Sequence, residues 1–182
     1  MKCALIIPSW IPEDIFSAKT AGSQINYWQP VGTLSVAAVL QQAGHDVAFL
    51  NGAFLTHAAI LEQIEQDRPR FVGLYATAFG WSKAKRTAED LKRLYGNMIY
   101  ICVGGPYPIA LQEKCLEDAG HCVDAVVTGE GEHTIIEMVE RIGSGRDLDG
   151  VLGTVWRAGD NIRKNPARPL ITDLDSLPIP AR

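Results

Sequence analysis

The sequence predicts an α/β domain: a doubly wound, five-stranded parallel sheet with a C-terminal β-hairpin and linker. Two observations carry this. Five short apolar runs rich in β-formers (residues 3–7, 47–50, 71–75, 99–103 and 125–127) are continuous rather than alternating, as strands buried on both faces are. Between them lie segments whose apolar residues recur every three to four positions, the period of an amphipathic helix.

The helices follow in order. Val36, Val39, Leu40 and Ala43 mark the first, stopped by Gly44. Ile60, Leu61 and Ile64 mark the second, ended near Pro69. Ala84, Ala88, Leu91 and Leu94 mark the third, with Ser82 as the expected N-cap and Gly96 just past its end. Leu111, Cys115 and Leu116 mark a shorter fourth, and Ile135, Met138, Val139 and Ile142 a fifth, ended by Gly143. Five such units with right-handed crossovers place helices on both faces, and the commonest strand order is 2-1-3-4-5, as in flavodoxin-like or Rossmann-like sheets.

Residues 1–150 therefore form the expected α/β domain. Residues 151–165 read as a hairpin around Ala158-Gly159-Asp160. Residues 166–182, with four prolines and no core of their own, read as a linker to a further domain.

The bulk numbers narrow the function. A net charge of -4 gives no basic footprint for nucleic acid. No stretch approaches the ~20 apolar residues that span a bilayer, and no signal peptide is visible, so the expectation is a cytoplasmic protein with no membrane partner. Cys3, Cys102, Cys115 and Cys122 form no metal-site spacing and are expected as free thiols, Cys3 and Cys102 within apolar runs. His45, His57, His121 and His133 are scattered. There is no GxGxxG after a strand, no phosphate-binding GxxxxGK[ST], no GxSxG and no acidic phosphoacceptor pair after the first strand. No catalytic or metal-ligating constellation is expected.

Ligands of open α/β sheets bind beyond the carboxyl ends of the strands, so the loops there are the candidates. The long first loop, from Pro8 to about Pro30, carries Trp10, Phe16, Tyr27 and Trp28, suited either to a flat apolar ligand or to covering the sheet edge. After the third strand, Ala76-Thr77-Ala78-Phe79-Gly80-Trp81 combines small residues, a hydroxyl and two large aromatics; it serves equally as a helix entry. After the fourth, Val103-Gly104-Gly105-Pro106-Tyr107-Pro108 permits tight turning and close backbone approach. After the fifth, Thr128-Gly129-Glu130-Gly131-Glu132 leaves amides at a helix start, a seat for a phosphate or amide oxygen or simply a capped helix.

Taken together, Pro30-Val31-Gly32-Thr33-Leu34, Gly44-His45-Asp46-Val47, Val72-Gly73-Leu74, Val103-Gly104-Gly105-Pro106, Asp124 to Val127, Thr128 to Glu132, Gly150 to Trp156 and Asp173-Leu174-Asp175-Ser176-Leu177-Pro178-Ile179-Pro180 resemble the N-terminal cobalamin-binding domain of radical S-adenosylmethionine (SAM) enzymes. The resemblance spans nearly the whole chain. It implies a cobalamin whose nucleotide tail inserts beside the sheet, with Gly104, Gly105, Pro106, Gly129, Glu130 and Gly131 as walls of the tail pocket, and Tyr107 and Thr128 beside them. Thr77, Ala78, Phe79 and Trp81 would face the lower corrin, and Trp10 an edge.

Two departures qualify what is implied. Cobalamin-dependent mutases and methionine synthase carry DxHxxG, whose histidine ligates cobalt; here the corresponding stretch is Ser9-Trp10-Ile11-Pro12-Glu13-Asp14. The expected cofactor is therefore base-off, with no protein histidine on cobalt. The CxxxCxxC that holds a four-iron cluster is also absent, so the cluster and SAM would belong to a missing catalytic domain, and this chain is not catalytic alone. The parent would be a methyltransferase or a ring-forming enzyme similar to the anaerobic Mg-protoporphyrin ester cyclase, acting on a small molecule. The alternative is a flavodoxin-like module for another phosphate-bearing ligand, such as FMN.

Overall fold

The computed structural model describes residues 1–11, 17, 19 and 30–181. The strands are β1 (Lys2–Ile7), β2 (Asp46–Asn51), β3 (Phe71–Tyr75), β4 (Tyr100–Gly104), β5 (Ala125–Val127), β6 (Thr154–Ala158) and β7 (Asn161–Lys164). The helices are α1 (Val31–Gln42), α2 (His57–Asp67), α3 (Trp81–Tyr95), α4 (Pro106–Leu111), α5 (Glu113–Ala119) and α6 (Glu132–Gly143).

One sheet runs β2-β1-β3-β4-β5-β6-β7. Its first five strands are parallel in the expected order, and the five predicted runs are the five parallel strands. The hairpin does not stand apart: β6 pairs antiparallel with β5, and β7 with β6, so the sheet has seven strands and is mixed. Trp156 faces the same core as Met138 and Phe71, and this burial holds the hairpin to the sheet edge.

Each face of the sheet buries its own core. One contains Ile6, Leu74, Ile101, Ile60, Ile64, Leu91 and Leu116 beneath α2, α3 and α5. The other contains Leu5, Phe71, Cys102, Val39, Leu40, Met138 and Val139 beneath α1 and α6. Consecutive side chains of a strand point to opposite faces, so Leu5 and Ile6 enter different cores and the strand must be apolar throughout.

Two local expectations are corrected. The third helix begins at Trp81, not after a Ser82 cap: Gly80 occupies the cap position and donates its N–H to the Thr77 hydroxyl at 3.1 Å. The fourth helix is two helices, because Gln112 takes a left-handed φ of 50° between α4 and α5 and breaks the hydrogen-bond ladder. The terminal segment runs along the α/β domain. Leu177 and Ala181 pack on the α1–α6 core, and Ala181 N–H donates to the Leu34 carbonyl at 3.1 Å.

Candidate functional site

In a parallel sheet all five βα loops leave from one edge, so the predicted glycine turns share one rim. The structure treats these turns in two ways, closing some with protein atoms and leaving others open.

The loops after β1 and β2 are closed on each other. Gly52 N–H donates to the Ile7 carbonyl at 2.8 Å, and a β-carbon on Gly52 would collide with the backbone of Pro8 and Ser9. Only glycine fits there. Gly52 was not among the sequence candidates, although the turn-forming pair Asn51-Gly52 carried the signal. Trp10, half-buried, is tied into this junction by its N–H to the Gly52 carbonyl at 3.4 Å. Phe16, Tyr27 and Trp28 lie outside the described residues.

The loops after β3 and β4 are also cross-linked. Ala76 N–H donates to the Gly104 carbonyl at 2.9 Å, and Tyr107 N–H to the Ala76 carbonyl at 3.1 Å. Gly105, with φ of 109°, is pressed to this junction: an added β-carbon would sit 2.7 Å from the Ala76 oxygen and 3.0 Å from the Tyr75 ring. Gly104 is different, since a β-carbon there would meet nothing within 4 Å. Its α-carbon faces open space at the rim, next to exposed Pro106.

Of the aromatic and small residues after β3, Ala78 and Phe79 are exposed, Phe79 by 71%, and Thr77 is half-buried with its hydroxyl accepting from Gly80. Trp81 is elsewhere. It is only 7% exposed, stacks on Tyr107 at 4.9 Å, and donates its indole N–H to Asp118 at 2.7 Å. That hydrogen bond holds the Asp118 carboxyl below its ordinary pKa, and burial pushes the Tyr107 hydroxyl above its own. Trp81 and Tyr107 therefore brace the β3 and β4 loops through their stacked rings and the Asp118 hydrogen bond.

The loop after β5 is the most open. Thr128 N–H donates to the Gly153 carbonyl at 2.9 Å, fastening the loop to the β6 side. Beyond it, the amides of Gly129, Glu130 and Gly131 have no acceptor among the described residues, and they lead into the first turn of α6. A β-carbon on Gly129 would meet nothing within 4 Å, whereas one on Gly131 would touch Val36 of α1 at 3.3 Å. Three successive N–H groups with no acceptor among the described residues, at the positive end of a 12-residue helix, suit an anionic or carbonyl oxygen. Glu130 points elsewhere: its carboxylate accepts the Ile171 N–H at 2.6 Å. Beside it an open depression of about 240 Å³ is lined by His133 and residues 169–173 and 176.

The histidines do not converge. His45 contacts the N-terminal amine at the opposite end of the sheet, and His57 is bonded to Asp90 at 2.9 Å between α2 and α3. The four thiols are buried and free, and burial pushes those of Cys3 and Cys122 up to about 11 and that of Cys115 to about 12. Among the described residues no three or more His, Cys, Asp or Glu side chains gather as a metal site, and no helix is long and apolar enough to cross a membrane.

Comparison with known proteins fits this geometry. The B12 binding domain family matches residues 21–139, well over half of the chain. An uncharacterized methyltransferase of Pyrococcus horikoshii is 32% identical over all of this chain, and the anaerobic magnesium-protoporphyrin IX monomethyl ester cyclase of Synechocystis is 30% identical over 80% of it. The chain spans only 38% and 30% of those two relatives' lengths. Among solved structures, the cobalamin-dependent S-adenosylmethionine radical enzyme OxsB, with aqua-cobalamin and S-adenosylmethionine bound, matches 99% of this chain at a TM-score of 0.78 and 14% identity, over 24% of its own length. The radical S-adenosylmethionine methyltransferase TsrM of Kitasatospora setae, with cobalamin and a 4Fe-4S cluster bound, matches all of it at 0.71 and 18%, over 31% of its own length. The chain belongs to the B12-binding domain family, and its cofactor class is cobalamin.

Proposed function

We propose that this chain holds cobalamin base-off, with no histidine of its own on cobalt, and presents it to a radical SAM domain of the same protein for methyl transfer to a small molecule. The observation that carries the reading is the run of three amides at residues 129–131 with no acceptor among the described residues, on the same rim as the open face of Gly104.

The residues fit the group. The amide run and the α6 dipole suit the phosphate of a nucleotide tail. The absence of side chains at Gly104 and Gly129 leaves room for that tail beside the backbone. Exposed Ala78 and Phe79 offer an apolar surface for the corrin underside. Trp81 and Tyr107 fix the loop beneath. Bound cobalamin would supply a low-valent cobalt centre able to relay a methyl group. The protein's part is to hold the tail, keep its base away from cobalt and leave that lower position without a protein ligand. Four buried, reduced thiols suit a cytoplasmic setting.

The test is to mix the chain with hydroxocobalamin, desalt it, record the absorption spectrum, and reduce the sample for electron paramagnetic resonance. A base-off spectrum with no nitrogen splitting on Co(II) supports the proposal. A colourless protein after desalting refutes cobalamin binding, and nitrogen splitting that survives His133→Ala refutes the base-off mode.

A further inference from the structure

The terminal segment is strapped to the cofactor rim by specific bonds. Gly153 N–H donates to the Pro166 carbonyl at 2.8 Å, and Arg168 donates to the Thr134 hydroxyl at 2.8 Å and to the Glu137 carboxylate. Ile171 N–H donates to Glu130, and Ala181 N–H to Leu34. The strap thus crosses the α6 end of the rim and then reaches α1, and among the described residues its hydrogen bond to the amide-rich loop is the one to the Glu130 side chain.

That side chain sits in an electrostatically awkward place. Glu130 lies between Gly129 and Gly131, so released from Ile171 its carboxylate has the amides of its own loop and the positive end of α6 as neighbours in sequence. A free carboxylate there would fold onto those N–H groups, since acidic side chains cap helix starts. It would then occupy the seat of an anionic ligand and repel it. In the structure Ile171 prevents this by holding the carboxylate with a charge-assisted hydrogen bond directed away from the loop.

We infer that Glu130 is a competitive self-cap, and that the strap holds it off the amides through the Ile171 N–H, keeping the site open to a phosphate-bearing ligand. Glu130 is in this sense a positioning residue, and strap docking and ligand affinity are coupled. Binding of the ligand tightens the strap by the same factor as the strap tightens the ligand. The ligand side of the inference rests on the cobalamin reading; the capping side does not.

The experiment uses the full chain and the variants I171P, which removes one N–H from an extended segment, E130Q, and both together. Without ligand, amide resonances of Gly129 and Gly131 are compared by nuclear magnetic resonance. In I171P they shift downfield as the carboxylate bonds to them, and in I171P/E130Q they return toward the parent positions. Resonances unmoved in I171P overturn the inference. With hydroxocobalamin, I171P weakens binding about tenfold, the loss of roughly one hydrogen bond's free energy. In the E130Q background the same substitution changes affinity less than twofold. An equal loss in both backgrounds refutes the self-cap. If the resonance changes occur but no variant binds hydroxocobalamin, the cobalamin reading fails while the self-cap stands.

Discussion

Adding a methyl group to each of three rim glycines separates closure of the rim from reception of the ligand. At Gly105 the φ of 109° is one that L-residues rarely adopt, and it costs about 1–3 kcal/mol. The new β-carbon also lies 2.7 Å from the Ala76 oxygen and 3.0 Å from the Tyr75 ring, overlaps that force a shift costing roughly another 1 kcal/mol or more. A total near ~3 kcal/mol lowers Tm by about 6–12 °C for a domain of this size. At Gly104 and Gly129 the added carbon meets nothing within 4 Å, and φ is not in the left-handed region. Stability there stays within about 1 kcal/mol of the parent. The methyl instead stands where a nucleotide arm approaches the backbone, and overpacking of about 1–3 kcal/mol weakens hydroxocobalamin roughly five- to 150-fold. Thermal unfolding by circular dichroism and spectrophotometric titration read the two effects separately. A G105A protein melting within 2 °C of the parent refutes the closure argument. G104A and G129A proteins that both bind as the parent does refute the location of the slot.

Three further outcomes follow from the geometry. Trp81→Phe removes the donor to Asp118 and lowers stability by about 1–3 kcal/mol in urea unfolding, while leaving the cobalamin spectrum of the complex unchanged. Because that hydrogen bond lowers the folded-state pKa of Asp118, its stabilisation is complete above the usual aspartate value near 4 and is lost as pH falls through the lower folded value; in D118N the acid limb of the stability–pH curve is shallower below about pH 4. The native protein reacts slowly with a thiol reagent at pH 8, because all four cysteines are buried and their thiols are held protonated; unfolding releases four fast-reacting groups, and a rapid native phase would contradict this placement.

The parallel sheet was legible because its signal is redundant: every strand enters two cores, so Cys3 to Ile7 or Ile101 to Val103 tolerate no polar residue and announce themselves. Strand order was legible only through the statistics of five-unit sheets. The hairpin's turn was visible, but not that β6 would pair with β5, since edge pairing depends on where Trp156 finds a core. The rim glycines were visible as a set, yet sequence gave all of them one meaning. Gly104 and Gly105 are adjacent and chemically identical, and only the path of the β3 loop makes one a packing necessity and the other an open face. Trp81 shows the same limit of sequence reading. An aromatic next to a small-residue loop reads as a ligand surface, and its partner Asp118 lies 37 residues away on another helix.

These placements define a division of labour along the rim. The junctions at Gly52 and Gly105 are closed with backbone hydrogen bonds, and Trp81, Tyr107 and Asp118 brace the second from below. The closed junctions brace the rim between the Gly104 face and the amide run at residues 129–131, whose N–H groups have no acceptor among the described residues. A ligand that needs both gains from this preorganisation, because the loops lose little freedom on binding. The Glu130 carboxylate, which flanks those amides in sequence, is held by the Ile171 N–H of the terminal strap. On the self-cap inference, the contact between Glu130 and Ile171 couples the cofactor's affinity to the docking of the terminal strap.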